Sequence, residues 1–294
     1  LRLDPAPLKS DLAAHLALLH EVRRQAHRFD VLHFHTDLLH FPLFEELAPR
    51  TVTTLHGCLD MTDLVDAYER WPAYALVSIS ERQRAFLPQA NWAATIAHGL
   101  DPAAYPWSPA AEPGYLAFLG RISPEKRPDR AIEIAKAAGI ALRIAAKVDP
   151  ADREYFRREI QPLLNDPLIE FVGEIGEADK SAFLCGARAL LFPIDWPEPF
   201  GLVMIEAMAC GTPVIGWRCG SVPEVVDDGV TGFVVDDMPA AIAATRSVGT
   251  LCRRRVRERF EARFTARTMA RNYLQLYGQL AGRSCRGRGI EEIA

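Results

Sequence analysis

Apolar, β-branched runs of three or four residues recur along this chain, at 31–34, 52–55, 76–79, 95–97, 116–119, 142–145, 169–172, 189–192, 213–216 and 232–235. Stretches with helical periodicity separate most of them: 11–28, 124–138, 151–164, 177–185 and 201–209. Strand–helix–strand alternation predicts parallel sheets covered by helices, an α/β fold. The stretch 250–280 predicts a further helical tail rich in arginine. Periodicity stops between 102 and 114, where Pro102, Pro106, Pro109, Pro113 and Gly114 cluster. This reads as a linker at 103–114 between a first domain (1–102) and a second (115–264), with a C-terminal helix and tail at 265–294.

Within the predicted helix 201–209, Leu202, Val203, Met204, Ile205, Ala207, Met208 and Ala209 surround a single carboxylate, Glu206. A helix apolar on every side is buried, and a buried carboxylate is costly without a partner. No Lys or Arg lies within a turn, so the pattern predicts a ligand hydroxyl as the partner, and hence a polar ligand such as a sugar nucleotide. Glu198 precedes the same helix, whose free N–H groups would face a sugar hydroxyl or phosphate.

A second cluster is Gly120-Arg121-Ile-Ser123-Pro124-Glu125-Lys126, after the strand 115–119. Ser123 suits an N-cap and Pro124 the first helical position, which places Lys126 in the first turn. A cation there opposes the helix dipole unless an anion docks between it and Arg121. A plain solvated basic turn would look similar, but the carboxyl end of a parallel strand is where α/β folds bind ligands, and this favours diphosphate. Taken singly, Glu198 reads equally as a helix N-terminal charge and Glu206 as a satisfied core carboxylate; it is the combination that points to a donor site.

These segments resemble the GT-B glycosyltransferases of family 4, the retaining glycogen-synthase-like group. The resemblance runs from about Asp30 to Tyr277. It is carried by Phe118-Leu-Gly-Arg121 with Lys126, Phe171-Val-Gly-Glu174, Glu198-Pro-Phe-Gly-Leu-Val-Met-Ile-Glu206, Gly220-Ser-Val-Pro-Glu224 and Asp228-Gly-Val-Thr-Gly-Phe233. It implies two Rossmann-like domains facing a cleft, with the N-terminal domain incomplete: the family's first strand and glycine-rich turn have no counterpart, and 1–7 reads as a loop already inside that domain. If those strands are absent from the molecule, an exposed sheet edge and weak or missing catalysis are expected.

The implied activity is that of a hexosyltransferase moving a sugar from a nucleotide-diphosphate sugar to a sugar, lipid or small-molecule hydroxyl. By the same resemblance, Arg121 and Lys126 hold the diphosphate, and Glu198 touches the transferred sugar. Phe200, Gly201 and Leu202 offer backbone N–H groups, Glu206 accepts from the ribose, and the segment at Glu174 and Ile175 lines the base. His56 corresponds to the family's active-site histidine. Lys147 sits at the second nucleotide loop, which here lacks its usual glycine, and His98 stands where asparagine is more usual. The family needs neither bound metal nor cofactor, so His33, His35 and His40 read as structural or acceptor-side groups. The competing readings are a catalytically silent nucleotide-binding module and, less favoured, a GT-B sugar-nucleotide epimerase. A phosphorylase would need a pyridoxal-phosphate lysine, and no segment resembles that site.

Charge and cysteine usage narrow the setting. With 34 Lys and Arg against 38 Asp and Glu the net charge is −4, which gives no nucleic-acid signature. Six cysteines without C-x-x-C spacing, and no apolar run of membrane-spanning length, suit a reduced, cytoplasmic protein. The stretch 11–28 combines Arg23, Arg24 and Arg28 with Leu12, Leu16, Leu19 and Val22; a solvated surface helix is the plainer reading, and peripheral contact with the inner membrane face the other.

Overall fold

The structure, a computed structural model, describes residues 11–107 and 114–288, with side chains through Gly282. The loop expected at 1–7, the middle of the expected linker (108–113) and the end of the tail (289–294) lie outside the described residues.

Two parallel sheets organise the chain. The first contains β1 (Leu32–Phe34), β2 (Thr51–Thr54), β3 (Ala75–Ser78) and β4 (Trp92–Thr95) in sequential order. The second contains β5 (Tyr115–Arg121), β6 (Leu142–Lys147), β7 (Ile169–Gly173), β8 (Ala187–Phe192), β9 (Val214–Trp217) and β10 (Gly232–Val235), in the order β10-β9-β8-β5-β6-β7. Every pairing is parallel. Such strands are buried on both faces, and the central strands of the second sheet are, while the edge strand β7 exposes Glu170 and Val172. Leu116, Phe118, Ile144 and Leu191 face a core with Ile132, Ile134 and Ala244. Ala117, Leu190 and Val214 face the opposite core with Met204, Ile205 and Phe260.

The strand order reverses between β5 and β8, which are adjacent although β6 and β7 intervene in sequence. In doubly wound sheets the crevice beyond the carboxyl ends of the strands at such a switch point is the ligand site. Arg121 ends β5, and the loop carrying Glu198 follows β8.

The tail is two helices rather than one. Arg253–Arg263 packs on the second domain, where Arg257 bonds to the carbonyls of Tyr105 and Ala209. After Phe264 and Thr265 the chain turns, and the helix Ala266–Arg288 crosses back to the first sheet. There Leu276 and Leu280 bury against Val52, Ala75, Val77 and Ile96. At about 1.5–3 kcal/mol for each large apolar side chain removed from water, this helix is a substantial part of the first sheet's core.

Several predicted elements are redrawn. The stretch 151–164 is broken into short 3-10, α and π turns, with Pro162 inside it. β4 lies at Trp92–Thr95 rather than 95–97. The helix Asp63–Arg70 falls in a stretch for which no helix was expected. At the N-terminus, the helix Asp11–Gln25 buries Leu19 and leaves Leu12, Leu16 and Leu18 exposed. Among the described residues no helix is long and apolar enough to cross a membrane.

Candidate active site

Gly120, Arg121, Lys126, Lys147, Glu174, Ile175, Lys180, Glu198, Gly201, Leu202 and Glu206 line one cleft of about 410 Å³ at the switch point. Two turns and a buried helix build it.

The first departs from expectation. The helix does not start at Pro124. Pro124–Lys126 is a separate 3-10 turn, Arg127 adopts the left-handed conformation at φ 53°, and the helix runs Pro128–Ala138. The reason is local: Pro128 disfavours a helical conformation in the residue before it. Arg127 is held there by its guanidinium, which grips Asp129 and, at 2.9 Å, Asp195. Ser123 makes no side-chain cap bond, and its buried hydroxyl has no partner among the described residues. Lys126 therefore owes its position to this turn and not to a helix dipole.

The second turn follows β8. Lys126 pairs with Glu198, and the two side chains are only 17% and 13% exposed. Trp196 Nε1 donates to the same carboxylate at 3.1 Å. The ammonium also lies 5.0 Å from the Trp196 ring centre and 5.8 Å from that of Phe192. Charges this desolvated need both partner and hydrogen bonds to persist. Gly201, at φ 76°, then turns the chain into the helix Leu202–Ala209. Phe200 lies beneath the cleft surface rather than lining it, 3% exposed, and its carbonyl accepts from Ser221 Oγ at 2.8 Å.

The third feature corrects the expectation for Glu206. The residue is buried, but its carboxylate already has protein partners, both on Oε1. Tyr105 Oη donates to it at 3.2 Å and Lys180 Nζ at 3.3 Å. Lys180 comes from the helix Glu177–Cys185, and Tyr105 from the segment between the two domains, where it packs with Met204 and Phe260. Burial and the adjacent Glu206 carboxylate raise the Tyr105 hydroxyl above its usual range. Sequence spacing could not expose these partners, since 26 and 101 residues separate them from Glu206. Arg121 is half exposed, 3.3 Å from Glu125 and 3.5 Å from Asp149, and Lys147 pairs with Asp149 at 2.8 Å.

The residues lining this cleft all come from the second domain, and the predicted His56 lies outside that lining, in a histidine cluster of the first domain that meets Phe200. His35 Nδ1 and His56 Nε2 share a hydrogen bond at 2.8 Å. The His56 ring stacks on His98 with centres 5.4 Å apart, and His98 meets the edge of Phe200 at 5.0 Å. Burial, reinforced by His56 and His35, lowers His98 to about 4. Burial lowers His35 and His56 as well, with Asp37 opposing the shift at His56. Burial thus disfavours the charged form of all three imidazoles, most clearly at His98. His33 bonds instead to Tyr277 and Thr54, and His40 is buried on Phe34 with bonds to Thr36 and Thr53.

A family model described as glycosyl transferases group 1 matches residues 106–261, more than half of the chain. D-inositol 3-phosphate glycosyltransferase of Mycolicibacterium smegmatis is 35% identical over 133 residues, covering 41% of this chain and 29% of that protein. The protein of the same name from Mycobacterium sp. (strain KMS) is 32% identical over 173 residues, 51% of this chain and 33% of that one. The matches thus span about a third of these relatives' length. Among solved structures, AviGT4, a glycosyltransferase involved in avilamycin A biosynthesis, superposes with a TM-score of 0.72 at 25% identity, over 90% of this chain and 78% of that one. Anabaena HepE in complex with UDP gives 0.74 at 20% identity, over 92% and 84%. The two parallel sheets with a cleft at the switch point are the GT-B fold, and the chain belongs to the group 1 glycosyl transferases.

Proposed function

We propose that this chain binds a nucleotide-diphosphate sugar in the cleft and transfers the sugar to an acceptor hydroxyl with retention of anomeric configuration, as in family 4. The observation that carries the reading is the convergence of Arg121, Lys126, Glu198 and Glu206 on one cleft at the switch point. HepE has been solved with UDP and with UDP-glucose, which supports a donor of this class.

In this reading the diphosphate meets Arg121 and Lys126, and part of the Lys126–Glu198 interaction is exchanged for phosphate oxygen. The two cations then stabilise charge developing on the leaving diphosphate. The bond from the anomeric carbon to phosphate oxygen breaks, and the acceptor oxygen bonds to the same face. The acceptor proton passes to a leaving-group phosphate oxygen. No protein nucleophile is needed, so Glu198 acts by position and charge. Glu206, already oriented by Tyr105 and Lys180, keeps a carboxylate oxygen for the ribose.

Thermal unfolding with UDP-, GDP- and ADP-sugars identifies the base, and UDP-glucose is the first probe. Proton NMR of the product's anomeric coupling tests retention, and an inverted product overturns the mechanism. Nucleotide stabilisation without turnover for any donor would assign a binding module instead.

A further inference from the structure

We infer that Glu224 and Gln83 are positioning residues that couple the donor loop to the His56 loop through the contact between the two domains. The inference extends the transferase reading and relies on it for its kinetic arm only.

The coupling starts at Gly220. Its backbone packs so closely on Glu198 that a Cβ there would stand 2.4 Å from the Glu198 nitrogen and oxygen. Ser221 N donates to the Glu198 carbonyl at 3.0 Å, and Ser221 Oγ to that of Phe200. The segment that supports the donor loop then turns into Val222–Val225 and projects Glu224 toward the other domain. Arg263 fixes this projection by bonding to the Glu224 carbonyl and, at 2.7 Å, to Asp227.

At the contact with the first domain, the Glu224 carboxylate accepts from the backbone N–H groups of Glu81 at 2.7 Å and Arg82 at 2.6 Å. These are free donors of the helical turn Glu81–Arg84. Its third donor, Gln83 N, is satisfied within the domain by Ser80 Oγ. The cap is thus shared, with one oxygen from its own domain and two from the partner domain.

Gln83 carries the contact inward. It is 2% exposed, and its amide group is fully used. Oε1 accepts from Ile79 N at 2.9 Å, and Nε2 donates to the carbonyls of Leu55 at 3.1 Å and Gly57 at 2.8 Å. Those two carbonyls flank His56. One connected path therefore runs from Glu198 through residues 220–224 and the turn 81–84 to both sides of His56. The Glu224 contacts lie at the surface and can open, whereas the Gln83 contacts are buried. The domain contact is therefore the adjustable element and Gln83 the fixed transmitter.

Glu224→Ala tests the first link, with Glu224→Gln, which keeps one acceptor oxygen, as the conservative variant. Hydrogen exchange on the whole chain is read by segment. Faster exchange at residues 81–83 together with 56–58 is expected in Glu224→Ala, with partial recovery in Glu224→Gln. Faster exchange confined to 81–83 overturns the coupling. With UDP-glucose as donor, Glu224→Ala should lower kcat by about tenfold while KM for the donor stays within about twofold, because charge-assisted bonds are lost away from the nucleotide. A change in KM alone overturns the positioning role. Gln83→Glu, which keeps the Ile79 bond and loses both donors, should reproduce the exchange change at 56–58 without affecting residues 81–82. If no nucleotide sugar stabilises or reacts with the wild type, the transferase reading fails, and the exchange comparison still decides the coupling.

Discussion

Gly220 sits where backbone conformation and close approach act together, and Gly229 separates the two effects. Both have positive φ, 54° and 70°. A Cβ at Gly229 would meet nothing within 4 Å, whereas one at Gly220 would stand 2.4 Å from backbone atoms of Glu198. Gly229→Ala should therefore cost only the dihedral penalty, about 1–2 kcal/mol. Gly220→Ala bears the same penalty and must also push the Glu198 segment away by at least about half an ångström. That segment is tied by Ser221 N to Glu198 O at 3.0 Å and by Asp195 N to Glu125 O at 2.9 Å. Weakening one or two such bonds adds about 1–2 kcal/mol, for a total near 3 kcal/mol. Urea unfolding of the two variants and the wild type reads the difference. Gly220→Ala should also lose most of its thermal stabilisation by UDP-glucose, while Gly229→Ala keeps it. Equal destabilisation by the two alanines would refute the close-approach reasoning.

Replacing Glu206 by Ala strands a buried tyrosine hydroxyl, so the free protein should lose about 1–3 kcal/mol in urea unfolding, and stabilisation by UDP-glucose should fall. Glu206→Gln, which keeps an acceptor for Tyr105, should recover most of the stability but not the ligand effect. Lys126→Ala leaves the Glu198 carboxylate with only Trp196, and nucleotide affinity measured by titration calorimetry should drop by about ten- to hundredfold; an unchanged Kd would remove Lys126 from the site. Burial lowers His40 to about 3 and His33 to about 4, so both are neutral in the fold while their unfolded forms protonate below pH 6.5. The unfolded chain then binds more protons, and stability should fall as pH drops from 6.5 toward those values, by up to about 1.4 kcal/mol per pH unit for each residue. His40→Gln should flatten that slope between pH 6.5 and 5, and an unaltered slope would contradict the assignment. Leu276→Asp, on the helix that closes the first sheet, should destabilise the protein by about 3 kcal/mol or more, because it buries an unpaired carboxylate against Val52 and Val77.

How much of this could be read in the chain follows from the range of each interaction. Parallel α/β architecture was legible because doubly buried strands are short apolar runs, and covering helices repeat every 3.6 residues. The convergence of residues after β5 and β8 was legible too, since strand ends at a switch point are fixed by topology. Local chemistry also placed Gly201 at the start of its helix. What the sequence missed involves pairs distant in the chain. Lys180 and Tyr105 as partners of Glu206 required three elements to pack. The break at Arg127 depends on the residue before a proline being gripped by Asp129 and Asp195 from two directions. Glu224 entered only as the end of a family motif, and only the apposition of two domains gives its carboxylate the amides of Glu81 and Arg82. The last helix read as a tail because nothing in its own pattern says that Leu276 and Leu280 close the first sheet. Hydrophobic period and turn residues, which act within a few positions, determined the elements and their layering. Charge partners and domain contacts, which act through space, were decided by the tertiary structure.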